Sequence, residues 1–238
     1  MILGAFGDSF TFGSDLKDVT HDTPSKLVWP ALVANQLDLE FYNYATPGIG
    51  NLIIADDVLR CISTKKNNVF YVINWTWIDR FDYIGSEIHE NNFGGVLVEN
   101  IWRTVRPTTK SEIDNAYYKF FHCDFTAKLT NLMYINTASQ ALLKNNCKFL
   151  MTSMDKLLFD TTYHCAESTL YLQNETVPYI SNYEGLNFLE WSKKQKFSIS
   201  NNWHPLEVSH QKAAEYWLPT VKTLLNTHAK EDYLHAFK

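Results

Sequence analysis

An α/β protein with a mostly parallel sheet and helices on both faces is the fold class that this sequence predicts. Short apolar runs alternate with longer segments of helical periodicity along the chain. Such alternation indicates crossover units, in which a helix joins two parallel strands. The third apolar run, Val69–Asn74, is unbroken and rich in β-branched residues, as expected for a central strand that is buried on both faces.

The composition favours one globular unit and argues against several classes of protein. Of the 238 residues, 45% are hydrophobic and 20% are charged, which suits a single domain over residues 1–238. The net charge is −5 and no segment is strongly basic, so we expect no nucleic-acid partner. No apolar run approaches the roughly 20 residues of a transmembrane helix, so we expect no membrane partner.

The cysteine pattern gives no sign of a metal or redox site. No two of the cysteines form a CxxC pair; they are Cys61, Cys123, Cys147 and Cys165. The first residues lack the basic start and long apolar run of a secretory signal. We therefore expect reduced thiols, a cytoplasmic location and neither metal nor cofactor.

Individual elements follow from their patterns. Strands are predicted at Ile2–Phe6, Glu40–Tyr44, Val69–Asn74 and Cys147–Ser153, with Phe197–Ser200 as a short strand or extended segment. Helices are predicted at Trp29–Leu37, Leu52–Ser63, Ser111–Asn145 and His204–Asn226. Proline in the first turn and serine as a cap mark helix starts, as at Pro30, Pro205 and Ser111.

Two segments depart from this alternation. Between about residues 82 and 110, Gly85, Gly94, Gly95 and Pro107 indicate a loop-rich insertion. Residues of about 155–200 are mixed in pattern and carry scattered aromatics. We interpret both segments as lid insertions embedded in the one domain.

The motif Gly7-Asp8-Ser9 directly follows the first strand. Ligands of open α/β sheets bind at the carboxyl ends of the strands, so Ser9 is a candidate nucleophile if a histidine can take its proton. His204, which precedes the last helix, is expected at the same edge. The alternatives are that Ser9 only caps a turn and that His204 only caps the helix.

A glycine follows the second strand, in Pro47-Gly48. Glycine lets the backbone approach a ligand closely and direct its N–H group at it. The alternative is an ordinary turn, which Pro-Gly indicates in any protein.

Together these features resemble the SGNH, or GDSL, hydrolase family: Gly7-Asp8-Ser9 after the first strand, Asn43–Gly48 after the second, and His204 near the end. The resemblance implies a flavodoxin-like, three-layer α/β/α fold with a mostly parallel five-stranded sheet. It implies Ser9 as nucleophile and His204 as general base and acid. The backbone N–H groups of Ser9 and Gly48 would bind the oxyanion.

One departure from the family concerns the acid of the triad. The family places an aspartate three residues before the histidine, where this chain has Asn201. An asparagine oxygen can orient the imidazole but cannot stabilise imidazolium by charge, and in a serine-protease triad that exchange costs ~10⁴ in rate. Asn201 is the predicted orienting residue, and Asp155 after the fourth strand is an alternative acid.

The other departure follows the third strand. The family's Gly-x-Asn-Asp is replaced by Asn74-Trp75-Thr76-Trp77, with Arg80 close behind. Thr76 or Asn74 would supply the missing oxyanion donor, and the choice stays open because a one-residue shift swaps faces. This form resembles members encoded by bacteriophages, which would imply the host cytoplasm or the virion as location.

Substrate contacts are predicted at Asn51, Trp75 and Arg80. Arg80 could bind a carboxylate or phosphate, and its alternative is a surface pair with Asp79 or Asp82. The tryptophan faces suit sugar rings, with core packing as the alternative.

The predicted function is hydrolysis of a carbohydrate ester or another small ester, with release of an acyl group such as acetyl. The alternative is a protein of the same fold that binds glycans or serves the virion without turnover. A nucleotide-binding protein is less favoured, because the first loop lacks both Gly-x-Gly-x-x-Gly and Walker patterns. The sequence does not predict an oligomeric state.

Overall fold

The structure is a computed structural model that describes residues 1–65, 68–90 and 96–226, with side chains outside 87–100. Its strands are β1 Ile2–Phe6, β2 Glu40–Asn43, β3 Val69–Trp75, β4 Phe81–Glu90, β5 Val96–Val105 and β6 Lys148–Ser153. Its helices are α1 Ser9–Phe12, α2 Trp29–Gln36, α3 Asn51–Lys65, α4 Glu112–Phe120, α5 Asp124–Lys144, α6 Glu167–Thr176, α7 Phe188–Lys194 and α8 Glu207–Asn226. Short 3-10 turns lie at Lys156–Leu158 and Val177–Tyr179.

The main sheet is parallel, with strand order β2-β1-β3-β6. The predicted parallel α/β class is confirmed, and β3 is buried along its whole length, as its apolar run predicted. All four strands end at one edge, where β1 leads into Ser9, β2 into the Gly48 loop and β3 into Thr76. The sheet therefore gathers the candidate residues of three separate segments.

The predicted fifth strand is not present in the described sheet, which has four strands. Phe197–Ser200 folds back on the start of the last helix, through an isolated antiparallel bridge from Ile199 to Pro205. The backbone groups of Ser198 and Ser200 bond to Leu206 and His204, so they are not free to extend the sheet. Beside β6, Ile180 forms one isolated parallel bridge with Met151.

The insertion predicted as loop-rich is a hairpin instead. Strands β4 and β5 pair antiparallel along their full length and form a separate two-stranded sheet. Apolar and polar residues do not alternate regularly along this segment, so its glycines favoured a loop. Gly94 and Gly95 lie outside the described residues.

The single helix predicted over Ser111–Asn145 is two helices. α4 ends at Phe120, and the backbone becomes extended at Cys123 before α5 begins. The two helices cover different surfaces, since α4 packs against the hairpin strand β5 whereas α5 packs against α3. One straight helix could not cover both surfaces, so the chain breaks between them.

The second insertion, after β6, forms a cap of short helices that α5 holds in place. Lys128 is fully buried, and its ammonium group donates to the carbonyls of Asp160 at 2.6 Å and Tyr163 at 2.5 Å. Gln173 of α6 donates to the carbonyl of Leu158 at 2.8 Å. Buried polar groups are stable only when they are bonded in this way.

Candidate active site

The nucleophile loop is a tight turn between β1 and the one-turn helix α1. Gly7 is required there, because a Cβ would overlap Thr11 Oγ1 and lie 3.0 Å from the carbonyl oxygen of Asn74. Asp8 caps α1 by accepting from the N–H of Phe10 at 3.1 Å. Ser9 is therefore the first residue of the helix, half-buried at the sheet edge.

Asp8 anchors this loop to the end of β3. Its carboxylate is fully buried and accepts from Thr76 Oγ1 at 2.7 Å and from Arg80 Nη1 at 2.9 Å. The same Arg80 nitrogen donates to the carbonyl of Ile49 at 2.7 Å, in the loop after β2. Arg80 thus pairs with Asp8, and the alternative pairing with Asp79 or Asp82 is wrong.

His204 lies against Ser9. Its Nε2 is 3.0 Å from Ser9 Oγ, a normal hydrogen-bond distance for a nucleophile and its base. The imidazole is 15% exposed and packs edge-on against the ring of Phe10, with centroids 5.1 Å apart. The structure therefore joins two predicted residues that are 195 positions apart in the chain.

The other imidazole nitrogen meets an aspartate that the sequence analysis missed. Asp15 Oδ2 lies 2.8 Å from His204 Nδ1. The prediction that Asn201 orients the imidazole is therefore wrong for this geometry, since Asp15 occupies the position at Nδ1 and Asn201 is exposed. Asp155, the other predicted acid, is bonded to the N–H groups of Ile78 and Leu157.

A network of donors holds Asp15 in place. Ser200 Oγ donates to Asp15 Oδ2 at 2.6 Å, and Asn202 Nδ2 lies 3.3 Å from Oδ1. Burial is the largest influence on the pKa of Asp15 and raises it, but the hydrogen bonds from Ser200, His204 and Asn202 together lower it below the usual value. The carboxylate is thus kept ionised beside the imidazole.

Two backbone N–H groups are available for an oxyanion. Among the described residues, no hydrogen-bond acceptor meets the N–H of Ser9 or of Gly48. Gly48 is buried and left-handed, with φ 82°, a conformation that favours glycine. This loop and the start of α1 are the places where the family resemblance expects the donors.

Of the two predicted side-chain donors, Thr76 is engaged elsewhere and Asn74 is bonded through its oxygen. The Thr76 hydroxyl donates to Asp8, and its one proton cannot serve an oxyanion at the same time. Asn74 turns toward β6, where its Oδ1 accepts from Thr152 Oγ1 at 2.8 Å. Within the described residues no hydrogen bond joins Asn74 to Ser9 or Gly48, so its donor role stays a prediction.

Two of the predicted substrate contacts are structural residues. Trp75 is fully buried in the core, so the prediction of a substrate contact there is wrong. Asn51 is also buried, and its amide accepts from the N–H of Thr76 at 2.7 Å and donates to Asn131 Oδ1 at 2.7 Å. It ties α3 to the end of β3 and α5 and does not face a ligand.

Asp82 fixes the Gly48 loop from the first strand of the hairpin. Its carboxylate accepts from the N–H groups of Gly50 at 2.8 Å, Leu52 at 3.1 Å and Ile53 at 3.1 Å. These N–H groups form the amino-terminal end of α3, so Asp82 caps that helix. Thr104 of β5 donates to the same carboxylate at 2.6 Å.

A second arginine lies beside the Gly48 loop, and the sequence analysis missed it. Arg106 follows β5, and its Nη1 lies so close to Gly48 that a Cβ there would overlap it. Arg80 and Arg106 share a cavity of about 240 Å³ with Trp77, Asp79, Pro107 and Thr108. Arg80, predicted to bind substrate, thus lines a cavity, although one of its nitrogens is already bonded.

Neither missed residue carried a motif. Asp15 lies only six positions after Ser9 and two after Gly13, in a segment that returns to the sheet edge, and this proximity is the signal that could have identified it. Arg106 reaches Gly48 only because the hairpin folds back over the loop. Pairing of β4 with β5 would have placed Arg106 beside the start of that hairpin.

Other types of site find no support in the described part of the chain. No group of three or more His, Cys, Asp or Glu residues there could hold a metal ion. Among those residues no helix is both long and apolar enough to cross a membrane.

Ser9, His204 and Asp15 thus form a Ser-His-Asp arrangement at the carboxyl edge of a parallel α/β sheet. No protein-family model matches the sequence, and no curated protein matches it either. Solved structures do match it in fold. The crystal structure of TesA has a TM-score of 0.53 at 14% identity, over 94% of this chain and 99% of that one.

Two further structures agree. The psychrotrophic esterase EstA from Pseudoalteromonas sp. has a TM-score of 0.50 at 12% identity, over 95% of this chain and 99% of that one. A family two carbohydrate esterase from Clostridium thermocellum has a TM-score of 0.50 at 15% identity, over 94% of this chain and 64% of that one. The chain has the SGNH, or GDSL, hydrolase fold, and the resemblance is confirmed at that level.

Proposed function

We propose that this protein is a serine ester hydrolase of SGNH type that releases an acyl group, such as acetyl, from a carbohydrate or another small ester. The observation that carries the proposal is the chain of contacts from Ser9 Oγ to His204 Nε2 at 3.0 Å and from His204 Nδ1 to Asp15 Oδ2 at 2.8 Å. This is the arrangement that an activated serine requires.

The first half of the reaction forms an acyl-enzyme. His204 keeps its proton on Nδ1, where it is hydrogen-bonded to Asp15. Its Nε2 accepts the Ser9 proton while Oγ attacks the ester carbonyl carbon. The negative charge that develops on the carbonyl oxygen faces the N–H groups of Ser9 and Gly48. The imidazolium then gives its proton to the departing alkoxide, and the C–O bond breaks.

The second half regenerates the enzyme. A water molecule takes the place of the alcohol, gives a proton to His204 Nε2 and attacks the acyl carbon. The tetrahedral intermediate collapses, Ser9 Oγ leaves and takes the proton back, and a carboxylic acid is released. Asp15 stays ionised throughout and stabilises the imidazolium by charge, which Asn201 could not do.

An exposed aromatic near the base supports the carbohydrate part of the proposal. Trp203 directly precedes His204 and is 61% exposed, with Lys193 Nζ 4.1 Å from the centre of its ring. Lys193 lies over one face of this ring, so the opposite face would be the platform for the C–H face of a sugar.

The contact with Asp15 also bears on the non-catalytic alternative. That alternative, a glycan-binding or virion-associated protein, depended on two losses, the aspartate before the histidine and the asparagine after the third strand. Because Asp15 lies at Nδ1, the first loss no longer argues against turnover.

Labelling by a fluorophosphonate probe tests the proposal. The wild-type protein should be labelled covalently at Ser9 and should hydrolyse p-nitrophenyl acetate, and Ser9→Ala should do neither. Ser14→Ala is the matched control, since this serine lies in the same loop without meeting His204, and it should keep both activities. Folded wild-type protein that neither labels nor hydrolyses would favour the glycan-binding alternative.

A further inference from the structure

The cavity that Arg80 and Arg106 share lies beside the candidate active site, because both arginines contact the loops that carry Ser9 and Gly48. Arg80 is bonded to Asp8, the residue before Ser9, and to the carbonyl of Ile49, the residue after Gly48. Arg106 lies against Gly48 itself. A substrate whose carbonyl oxygen faces the N–H groups of Ser9 and Gly48 would therefore lie close to Arg106.

The two arginines differ in how their charge is compensated. Arg80 is paired with Asp8 at 2.9 Å. Within the described chain Arg106 forms no ion pair, and its Nε is buried without any hydrogen-bond partner. A buried donor left without an acceptor is destabilising, and the penalty is larger for a charged group. Among the described residues, Arg106 is therefore a cation without a paired anion.

The backbone holds Arg106 in this position. Its N–H donates to Asp114 Oδ1 at 3.4 Å, and its carbonyl accepts from Thr109 N at 3.2 Å and Thr109 Oγ1 at 3.0 Å. The preceding residue, Val105, is buried. The guanidinium thus extends from an ordered base and is not a free surface side chain.

One carboxylate opposes an anion in this cavity. Asp79 lines it, yet among the described residues it forms no ion pair with either arginine. Burial is the largest influence on the pKa of Asp79 and raises it, whereas the charge of Arg80 acts in the other direction. An ionised Asp79 would repel a bound anion, which makes this residue a useful second probe.

We propose that the ester substrate carries an anionic group, a carboxylate or a phosphate, which Arg106 binds in this cavity opposite Arg80. The inference rests on the proposed esterase function and adds the class of substrate. A guanidinium pairs with either group through two parallel hydrogen bonds. The cavity of about 240 Å³ suits one such group and not a whole ligand. Because the protein has a net charge of −5, attraction of an anion must be local.

Turnover of three matched esters tests the proposal. The probes are 4-acetoxybenzoate, 4-acetoxyphenyl phosphate and the neutral 4-acetoxybenzamide, with acetate release followed by titration. Wild type should have a kcat/KM at least tenfold higher for one of the two anions than for the amide. The comparison of carboxylate with phosphate identifies which anion is bound.

Two variants assign the preference to the cavity. Arg106→Met should remove most of the preference for the anionic ester. The quantity compared is the ratio of kcat/KM for the anionic ester to kcat/KM for the amide, and intrinsic differences between the esters cancel when the ratios of variant and wild type are compared. Asp79→Asn should change the ratio in the opposite direction, because a repelling charge is removed. Equal ratios in wild type and both variants would overturn the assignment to this cavity.

Binding without turnover separates this proposal from the esterase proposal. By calorimetry, Ser9→Ala should bind 4-acetoxybenzoate or 4-acetoxyphenyl phosphate at least tenfold more tightly than 4-acetoxybenzamide. If the anion lies on the acyl side of the ester, Ser9→Ala should instead bind monomethyl succinate more tightly than dimethyl succinate. Adding Arg106→Met should abolish the difference. If Ser9→Ala shows no preference in either series, the anion site is wrong even when wild type is an active esterase.

Discussion

In the proposed mechanism, proton transfer by His204 depends on the carboxylate of Asp15. It lies on the loop after α1 with φ 70°, a left-handed conformation that costs a non-glycine residue on the order of 1–3 kcal/mol. Hydrogen bonds from Ser200 and Asn202 hold it there. Trp203, beside His204, is also left-handed with φ 67°. Strained backbone thus flanks the imidazole on both sides.

Replacement of Asp15 measures its contribution. Asp15→Asn should lower kcat for p-nitrophenyl acetate by ~10³–10⁴, because the neutral amide cannot stabilise imidazolium and can favour the wrong tautomer. Asn201→Ala, the matched control, should keep the wild-type rate. Thermal unfolding of both variants checks that the fold is intact. A large loss in Asn201→Ala with little effect of Asp15→Asn would restore Asn201 as the orienting residue.

Ser9, Gly48 and His204 could be predicted from the sequence, whereas the carboxylate partner of His204 could not. Ser9, Gly48 and His204 lie in short motifs next to strands or a helix, so local pattern was enough. Asp15 meets its partner across 189 positions, and its own surroundings in the sequence are those of an ordinary turn. Thr76 lies at the predicted edge of the sheet, but its hydroxyl donates to the buried carboxylate of Asp8, and the sequence does not reveal this bond.

At the scale of elements, hydrogen bonds of one residue connect the hairpin to α3. Asp82 begins the hairpin and caps α3, which places three N–H groups and Thr104 on one buried carboxylate. The loop that precedes α3 carries Gly48. A change at Asp82 would therefore remove support from the loop that carries Gly48, a proposed oxyanion donor.

Removal of this cap should affect both stability and activity. Asp82→Ala should lower the free energy of unfolding by about 2 kcal/mol, as expected for a lost helix cap with several donors left unpaired. It should also lower kcat, because the Gly48 loop loses its support. Asn187→Ala removes the cap of α7, where Oδ1 accepts from Glu190 N at 2.8 Å, and should destabilise without the loss of kcat. Urea unfolding and p-nitrophenyl acetate kinetics check both.

Elements were predictable where burial imposes a period. β3 and α3 read clearly because their apolar faces pack on the core. In the described part of the hairpin Ile84 is 56% exposed, so the pattern there is not that of a buried strand. The break between α4 and α5 follows from which surfaces lie below each half, and that is a property of the folded chain alone.

At the scale of the whole molecule, the last described helix packs against a helix from the early part of the chain. α8 packs against α2, where His210 Nδ1 accepts from the N–H of Trp29 at 3.1 Å. His210 is completely buried, and its ring lies against Phe188 with centroids 4.9 Å apart. Burial lowers the pKa of His210 to about 3, with a smaller contribution from the charge of His204.

This buried histidine should make stability fall in mild acid. The folded state keeps His210 neutral whereas the unfolded chain binds a proton below about pH 6.5, so stability is full above that pH and declines as the pH falls toward 3. The linkage predicts a loss of about 2 kcal/mol between pH 7 and pH 5 from this group alone.

Urea unfolding at the two pH values provides the measurement. His210→Gln should lose about 2 kcal/mol less than wild type between pH 7 and pH 5, whatever its stability at pH 7. His21→Gln is the control, since that side chain is 98% exposed, and it should behave as wild type does. An acid-induced loss of the same size in His210→Gln and wild type would contradict the assignment.

The separate two-stranded sheet has a consequence for how such a protein can diversify. Ser9, His204 and Asp15 lie in or next to elements of the main fold, whereas Arg106 follows the ribbon formed by β4 and β5, which pairs only with itself among the described strands. A ribbon of this kind can change length or composition without disturbing the register of the parallel sheet. Under the proposed function, changes in the ribbon would therefore alter the residues offered to an anionic substrate group while the contacts among Ser9, His204 and Asp15 are kept.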